Sequence, residues 1–455
     1  MNPTKKSIWG WALYDWANSA FATTVMAGFF PIYFKQYWNA GVDVNLSSAR
    51  LGYGNAAAGI LIALMAPVLG AMADLGGSRK RFMLTFAYFG ALMTAALFWV
   101  GQNQWHLALL AYGLAVVGFA GANIFYDALL PAVSDEGSVD FVSGLGYSMG
   151  YLGGGILFAI NVLMVLFPER FNLPDAGAAV GFSFLSVALW WAGFCLFPLA
   201  WIRETGMIQR APVRNRLTRG VRQLRTTLSK IRRLKTAGIF LLAYWFYIDG
   251  VDTIIRMAVD YGLSLGFTSQ DLILSLLLVQ FVGFPAALGF GRLGQRWGAK
   301  KSIFLGIAIY MGVTVWGSLM TTRASFYGLA VMIGLVQGGV QALSRSYYSR
   351  LIPKDQAAEF YGFYNMMGKF SAIIGPALMA TIGLVVRQLL MPENPTVQQL
   401  AEVGRLASRW SIASVLILFV IGAGLLMRVN EEKGRRELAD FTAISPETAG
   451  QDADR

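Results

Sequence analysis

The sequence predicts an all-α membrane protein with 12 transmembrane helices in two six-helix bundles. The first observation is composition: 56% of the 455 residues are hydrophobic and only 14% are charged, against about 25% in a typical soluble protein. The second is a series of long apolar segments, and the third is a charged turn that occurs twice. Together they exclude a soluble globular domain and are typical of a duplicated membrane transporter.

Twelve apolar segments reach the length of about 18 residues that a helix needs to cross a bilayer. In the first half they are Trp9–Phe34, Leu51–Met72, Phe82–Val100, Leu107–Leu130, Phe141–Phe167 and Ala178–Trp201. In the second half they are Ala237–Val259, Leu272–Phe290, Ser302–Met320, Phe326–Tyr347, Phe360–Val386 and Trp410–Met427. We therefore expect an N-terminal bundle over 1–202, a basic linker over 203–235, a C-terminal bundle over 236–430 and a disordered cytoplasmic tail over 431–455.

The net charge of +12 is concentrated in segments that share one side of the membrane. The N-terminus, the turns after the second and eighth segments and the linker hold most of the lysines and arginines. The positive-inside rule then predicts that both termini are cytoplasmic and that the linker lies against anionic lipid headgroups. We expect a multi-pass protein of the cytoplasmic (inner) membrane that binds no nucleic acid.

The charged turn runs from Gly70 to Phe82 and returns in a diverged form from Gly291 to Ser302. Each copy has a glycine, a polar residue four positions later, a second glycine three further on and then a basic cluster. The polar residue is Asp74 in the first copy and Gln295 in the second. Parallel repeats of this kind predict two bundles about an axis along the membrane normal, with a cavity between them.

A second repeat lies inside the apolar segments. Asp15 and Ser19 of the first segment correspond in spacing to Asp249 and Thr253 of the seventh. The six segments of one half therefore match the six of the other in order, which strengthens the prediction of a duplicated transporter.

Several motifs resemble the major facilitator superfamily, and more narrowly the "unknown major facilitator" family. They are WALYDWANSAF at Trp11–Phe21, GLGYSMGYLGGG at Gly144–Gly155, YIDGVDTIIRMA at Tyr247–Ala258 and QGGVQALSRS at Gln337–Ser346. The second charged turn departs from the superfamily pattern, because Gln295 stands where an acid is usual. That family includes fungal autophagy-related vacuolar amino-acid effluxers, so the resemblance implies a secondary transporter of amino acids or small peptides.

Ionisable side chains inside transmembrane segments are candidates for solute or proton binding, because each costs about 2.5–3.5 kcal/mol on insertion scales unless it faces a cavity or a partner. The candidates, with neighbouring polar and aromatic residues, are Asp15, Asn18, Asp249, Asp252, Arg256, Lys369, Tyr14, Tyr247 and Asn365. Asp249, Asp252 and Arg256 share one helix face. They form either a structural ion pair or a site in which one acid binds a proton or the solute amine, and two acids against one arginine favour the second interpretation. Lys369 needs a partner from another helix, for which Asp15 and Asp249 are the best candidates, and we expect it to bind a solute carboxylate or to act in gating.

Gating residues are expected at the inner ends of the segments. Depth along the helices assigns Asp127 and Arg345 to gates. In the first charged turn, Asp74 with Arg79 and Arg81 is expected to control conformation, because its carboxylate can cap a helix terminus in one state and release it in the other.

Motifs for enzymatic chemistry are missing from the sequence: it has no phosphate-binding loop, no cluster of His and Cys and no Ser/His/Asp set. We expect a monomeric non-enzyme without cofactor or metal, whose partners are the bilayer, a small solute and a coupling ion. The first hypothesis is proton-coupled movement of a zwitterionic solute by alternating access. A cation-coupled sugar symporter, a flippase of lipids or amphiphiles, and a non-transporting receptor remain alternatives.

Overall fold

Residues 4–42, 44–76, 79–203, 227, 229–264, 268–392 and 396–451 are described by the structure, a computed structural model. All regular secondary structure within these residues is helical. Ten of the helices are long and apolar enough to cross a membrane, and Ile374–Leu390 is a shorter apolar helical segment. The predicted all-α membrane fold is confirmed, and this finding is consistent with twelve spans.

The chain divides into two compact units. Unit 1 comprises residues 1–228 and 353–366, and unit 2 comprises residues 229–352 and 367–455. The helices before the linker are α1 (Lys5–Ala20), α2 (Phe30–Tyr33), α3 (Val44–Gly76), α4 (Arg79–Ala96), α5 (Trp105–Val133), α6 (Val139–Leu166), α7 (Ala176–Phe194) and α8 (Leu196–Trp201). Two π-helical segments flank α2, at Phe21–Phe29 and Phe34–Trp38.

The helices after the linker are α9 (Lys235–Ser264), α10 (Ser269–Trp297), α11 (Ala299–Leu319), α12 (Arg323–Ser349), α13 (Ala357–Leu390), α14 (Val397–Ser414), α15 (Leu416–Met427) and α16 (Glu431–Gln451). The division between the units falls within α13, whose residues up to Met366 group with unit 1 and whose residues from Met367 group with unit 2. This helix corresponds to the eleventh predicted span.

The first predicted span changes helix type along its length. The α-helical part has 16 residues and is followed by nine π-helical residues. Because the α-helix ends at Ala20, the span is not counted among the ten long α-helices. Single-turn π-helical bulges are frequent at functional sites, and this much longer segment begins two residues after Ser19.

Close packing of α1 on α6 explains the glycine-rich motif at Gly144–Gly155. A Cβ added at Gly146 would lie 2.6 Å from the Tyr126 hydroxyl, and one at Gly150 would lie 2.5 Å from the Ser19 hydroxyl. Small residues let membrane helices approach closely. The glycines therefore bring the polar residues of α1 against α6 without intervening side chains.

The segment expected to be a disordered tail contains α16, which packs within unit 2. Glu437 accepts a hydrogen bond of 2.8 Å from the backbone N–H of Thr236, in the first turn of α9. Gly434 is buried, and a Cβ there would contact Leu351 and Thr236. A carboxylate at a helix N-terminus is favoured by the helix dipole. Disorder was expected from the polar composition of this segment. One of its polar residues, Glu437, instead joins α16 to α9.

The turn between α5 and α6 is closed by two reciprocal hydrogen bonds. Ser138 N–H donates to the carboxylate of Asp135 at 2.8 Å, and Asp135 N–H donates to the Ser138 hydroxyl at 3.1 Å. Hydrogen bonds from the Ser138 side chain and backbone lower the pKa of Asp135. This turn fixes the start of the glycine-bearing helix α6.

Candidate functional site

The carboxylate of Asp15 is the centre of a polar cluster in unit 1. It is partly buried on α1, one helical turn before Ser19. The Ser19 hydroxyl donates to Oδ1 at 3.4 Å, and the Tyr126 hydroxyl of α5 donates to Oδ2 at 3.2 Å. Both carboxylate oxygens thus have a donor, while part of the side chain stays exposed.

Three aromatic rings hold the α1 face of this cluster in place. Trp11 stacks on Tyr126 with ring centroids 4.3 Å apart, and Tyr14 lies 5.0 Å from the same ring. The indole N–H of Trp11 donates to the carbonyl oxygen of Tyr126 at 2.8 Å. Tyr14 is fully buried, and its hydroxyl has no hydrogen-bond partner among the described residues. The rings fix the orientation of the Tyr126 hydroxyl that faces Asp15.

Asn18 and Asn365 are two further predicted site residues of unit 1, and both use their side-chain amides as hydrogen-bond donors. Asn18 is buried, and its side-chain amide donates to the Asn123 side chain of α5 at 2.6 Å. Asn365 donates to the carboxylate of Asp127 at 2.9 Å and to the carbonyl oxygen of Tyr361 at 3.0 Å. Asn18 therefore bridges two helices, and Asn365 ties the start of α13 to Asp127.

The first charged turn is joined to the start of α13 by Asp74. The backbone N–H groups of Ala358 and Glu359 donate to its carboxylate at 3.2 and 2.7 Å. The guanidinium of Arg79 pairs with the same carboxylate at 2.6 Å, and the two side chains are only 15% and 8% exposed. Because the first N–H groups of a helix lack acceptors within it, Asp74 serves as the cap of α13.

Arg79 extends the same contact to the residues before α13. Its guanidinium donates to the backbone carbonyl oxygens of Lys354 and Asp355 at 3.1 and 2.8 Å, and to that of Ala128 at 3.4 Å. Arg81 is exposed. The three charged residues predicted to act together therefore divide into a partly buried pair, Asp74 and Arg79, and a basic side chain at the surface.

Each charged turn also contains a lysine that caps a helix C-terminus. In unit 1, the ammonium of Lys80 donates to the carbonyl oxygens of Leu199 and Ile202 at 3.1 and 2.7 Å, at the end of α8. A cation near the last carbonyl groups of a helix is favourable. The first turn therefore holds the helix that precedes the linker.

The second charged turn repeats this cap in unit 2. The ammonium of Lys300 donates to the carbonyl oxygens of Met427 and Val429 at 3.2 and 2.6 Å, at the end of α15. Lys80 and Lys300 are each the second residue of the helix that follows the turn. The repeat seen in the sequence thus has a shared structural contact.

The carboxylate of Asp249 is sealed inside unit 2. The residue is 0% exposed. Its Oδ1 accepts hydrogen bonds from the backbone N–H of Gly375 at 3.0 Å and from the Thr253 hydroxyl at 3.3 Å. Its Oδ2 has no hydrogen-bond partner among the described residues. This burial leaves no access for a solute to Asp249 in this structure.

The other predicted residues of unit 2 lie in different surroundings. The hydroxyls of Tyr247 and Ser344 are 2.6 Å apart in the buried interior. Asp252 is partly buried and Arg345 is buried, at 2% exposure. The side chains of Arg256 and Lys369 lie outside the described residues. The proposed pairing of Asp252 with Arg256 and the partner of Lys369 remain predictions.

Two contacts were missed by the sequence analysis. Glu359 is buried in the first turn of α13 and accepts a hydrogen bond from the Thr227 hydroxyl. Gly375 supplies a backbone donor to Asp249. The signal for the second was present as the Gly375-Pro376 pair within an apolar segment, because proline disturbs the hydrogen bonds of a helix. The first had no signal, since Thr227 and Glu359 are far apart in sequence.

Asp15 and Asp249 are suited to different ligands. Asp15, with exposed surface and aromatic neighbours, can accept a cationic group of a solute. Asp249 is not exposed and has one oxygen without a partner among the described residues, so it can hold a proton but offers no room for a solute in this structure. No group of three or more His, Cys, Asp and Glu side chains in the described part of the chain is arranged to hold a metal ion.

Comparison with known proteins agrees with this fold. A family model described as "Vacuole effluxer Atg22 like" matches residues 3–139 and 134–384. The MFS-type transporter YxiO of Bacillus subtilis is 38% identical over 424 residues, covering 93% of this chain and 94% of that protein. Autophagy-related protein 22 of Yarrowia lipolytica is 23% identical, covering 80% of this chain and 72% of that protein.

Among solved structures, the human organic anion transporter MFSD10 is similar with a TM-score of 0.65 at 15% identity, covering 94% of this chain and 100% of that chain. At that identity the likeness shows the fold alone, which is the major facilitator fold. The relatives are transporters and not enzymes. The chain is therefore a multi-pass membrane protein and a secondary transporter, and it belongs to the Atg22-like family of the major facilitator superfamily.

Proposed function

We propose that this transporter moves a small zwitterionic solute, of the amino-acid or peptide class, by proton-coupled alternating access. It acts as a monomer in the cytoplasmic membrane with both termini in the cytoplasm. The family's description as a vacuole effluxer supports the transport of a small solute. The resemblance of the motifs to vacuolar amino-acid effluxers supports the solute class.

The observation that carries the proposal is the difference between two acids in corresponding positions. Asp15 and Asp249 each stand one turn before a hydroxyl that donates to Oδ1. Asp15 keeps exposed surface, whereas Asp249 is sealed. A carboxylate within reach of a solute can bind its ammonium group, and a sealed carboxyl group can hold a proton. The two functions of a proton-coupled carrier thus have separate candidates.

The cap that Asp74 provides on α13 supports the alternating part of the cycle. A charged group that holds a helix terminus in one conformation and releases it in another biases a two-state equilibrium. The partly buried Asp74–Arg79 pair and its four backbone partners on residues 354–359 form such a contact. We infer that these contacts form in one state of the cycle and break in another.

The experiment is uptake by the purified protein in liposomes, with and without an imposed pH gradient. Labelled amino acids, dipeptides and sugars are each offered at equal concentration, and lipid scrambling is measured on the same preparation. We expect accumulation of an amino acid or a dipeptide that depends on the gradient. Accumulation of sugars alone would favour a sugar symporter, and scrambling without uptake would favour a flippase; either result would overturn the proposal.

A substitution tests the assignment of Asp15. Asp15→Asn removes the charge that pairs with a solute ammonium while keeping the side-chain shape, so the KM for a zwitterionic solute should rise. Loss of a charge-assisted hydrogen bond weakens binding by about 1.5–3 kcal/mol, or roughly tenfold to a hundredfold in KM. Glu169→Gln, at an exposed acid between α6 and α7, is the control and should leave KM unchanged. An unaltered KM in Asp15→Asn would exclude this role.

A further inference from the structure

We propose that the coupling proton binds Oδ2 of Asp249 and that its arrival and departure control the conformation of α13 at Gly375-Pro376. This inference rests on the proton-coupled transport proposed above and names the group and the helix through which the proton acts. The sequence groups Asp249 with the residues that bind the solute or a proton, and this inference assigns it the proton.

The first argument is the state of the carboxyl group itself. Asp249 is 0% exposed, and Oδ2 has no hydrogen-bond partner among the described residues. A buried carboxylate with an unpaired oxygen is costly, whereas the neutral acid avoids the cost of burying a charge. Full burial also excludes direct contact with a solute in this conformation. A proton is the ligand that fits both facts.

The second argument concerns the backbone of α13. Pro376 lies within the helix, and a proline inside a helix has no N–H to donate to the preceding turn and favours a kink. The N–H of Gly375, the residue before this proline, donates to Oδ1 of Asp249 at 3.0 Å. The same oxygen accepts from Thr253 at 3.3 Å. Asp249 thus contacts the backbone of another helix where that helix is most easily bent.

The third argument is the lack of space between the two helices. A Cβ added at Gly375 would lie 2.8 Å from Oδ1 of Asp249 and would overlap the Thr253 hydroxyl. Glycine is therefore required for the N–H to reach the carboxylate. Gly368, seven residues earlier on the same helix, is different, because a Cβ there would have the Tyr244 hydroxyl at 3.6 Å as its nearest neighbour.

These contacts link protonation of Asp249 to the conformation of α13 at Gly375-Pro376. A carboxylate is a stronger acceptor than a neutral carboxyl group, because a hydrogen bond to an ionised partner is roughly twice as strong. Loss of the proton from Oδ2 therefore tightens the bond from Gly375 N–H to Oδ1 and holds the helix backbone at Pro376 in this conformation. Binding of a proton weakens that bond and allows the turn to change. The proton is taken from water on one side and returned to water on the other.

Within the part of the chain that the structure describes, the charged and titratable groups near Asp249 lie on its own helix and on the helices around it. Asp252, three residues further along the same helix, is partly buried. The packed helix α15 has no charged residue, and α12 carries Arg345 nearer its inner end. α11 contributes the buried hydroxyl of Tyr310. Arg256 of α9 and Lys369 of α13 have side chains outside the described residues.

The first test compares coupling with exchange in Asp249→Asn. The full-length variant is reconstituted in liposomes, and both gradient-driven accumulation and solute counterflow at equal pH are measured. Asparagine resembles the protonated acid, because it is neutral and keeps Oδ1. We expect accumulation to be lost while counterflow is retained. Accumulation equal to that of the unaltered protein would overturn the inference.

The second test needs no solute. Hydrogen–deuterium exchange over residues 371–380, corrected for the intrinsic effect of pH, reports the protection of the Gly375 N–H. We expect protection to increase with pH in the unaltered protein and to be independent of pH in Asp249→Asn. Equal pH dependence in both would contradict the link. Because this measurement requires no transport, it separates failure of the inference from failure of the proposed function.

Two glycine variants provide a third test, which remains available if Asp249→Asn does not fold. Gly375→Ala should push α13 away from Asp249 and abolish accumulation while counterflow continues, whereas Gly368→Ala should behave as the unaltered protein. If both alanine variants accumulate solute equally well, the contact at Gly375 has no part in coupling. Accumulation driven by a sodium gradient at equal pH, and lost in Asp249→Asn, would replace the proton by a sodium ion and overturn the assignment.

Discussion

The two copies of the charged turn share one contact and differ in another. In each copy a lysine at the second position of the following helix caps a helix C-terminus: Lys80 caps α8 and Lys300 caps α15. Only the first copy has an acid, Asp74, and this acid caps the N-terminus of α13 together with Arg79. The second copy has Gln295 at the matching position.

The lysine cap is therefore common to both halves, whereas the acid cap distinguishes the first half from the second. The lysine cap joins elements of one unit that are far apart in sequence, and it is needed in both halves for the same structural reason. The acid holds a helix start whose later residues belong to the other unit. A neutral amide such as that of Gln295 lacks the charge that makes such a cap strong. We therefore expect the first copy to affect transport and stability, and the second copy mainly stability.

The largest effect is expected from Asp74→Ala. The change leaves the guanidinium of Arg79, 15% exposed, without its carboxylate, and it leaves two backbone N–H groups without an acceptor. Breaking a buried ion pair by removing one partner costs about 3–5 kcal/mol. Thermal unfolding in detergent should show a clearly lowered midpoint, and gradient-driven uptake in liposomes should fall strongly.

Gln295→Ala is the control at the matching position of the second copy. It removes no charge, so its effect on the unfolding midpoint should be much smaller and uptake should continue. Equal loss of uptake in the two alanine variants would show that the acid does not distinguish the copies. Gln295→Asp sharpens the comparison further, because a new acid without a helix start to cap should not increase stability.

An intermediate effect is expected from the two lysine caps. Lys80→Met and Lys300→Met each keep the length of the side chain and remove hydrogen bonds to two carbonyl oxygens. A hydrogen bond to a charged group contributes about 1.5–3 kcal/mol, less where water reaches it, and both lysines are partly exposed. We expect each variant to lose about 1–2 kcal/mol. Thermal unfolding measured side by side checks this, and a loss in only one variant would mean that the repeated contact is not equivalent.

The repeat itself could be read from the sequence, because it depends on local spacing. The two turns, the pairs at Asp15 and Asp249 and the absence of an acid at Gln295 are all visible there. The lysine caps could not be predicted, since Lys80 and Ile202 are joined only by the folded chain. Sequence patterns indicate which residue types are available, whereas their partners depend on tertiary packing.

Asp15 and Asp249 also show that a sequence pattern does not reveal the partners of a residue. Asp15 and Asp249 have the same local pattern, yet one is partly exposed and the other is sealed. The difference comes from the neighbouring helix: α5 offers a tyrosine hydroxyl to Asp15, and α13 offers the N–H of Gly375 to Asp249. The all-helical membrane fold was predictable because long apolar segments and their repeat in two halves indicate it. The environment of each acid was not, because it depends on the helix that packs against it.

The smallest effect is expected from the remaining basic residues of the two turns. Arg81 and Lys301 follow the capping lysines and are both exposed. Surface substitutions away from buried contacts change stability by less than about 0.5 kcal/mol, so Arg81→Gln and Lys301→Gln should leave the unfolding midpoint and uptake close to those of the unaltered protein. The basic residue at this position of both turns would then serve to orient the chain in the membrane, by the positive-inside rule, and not to make a contact. A loss of uptake in Arg81→Gln alone would instead extend the difference between the copies beyond Asp74, and would assign Arg81 to the gate where the sequence analysis placed it.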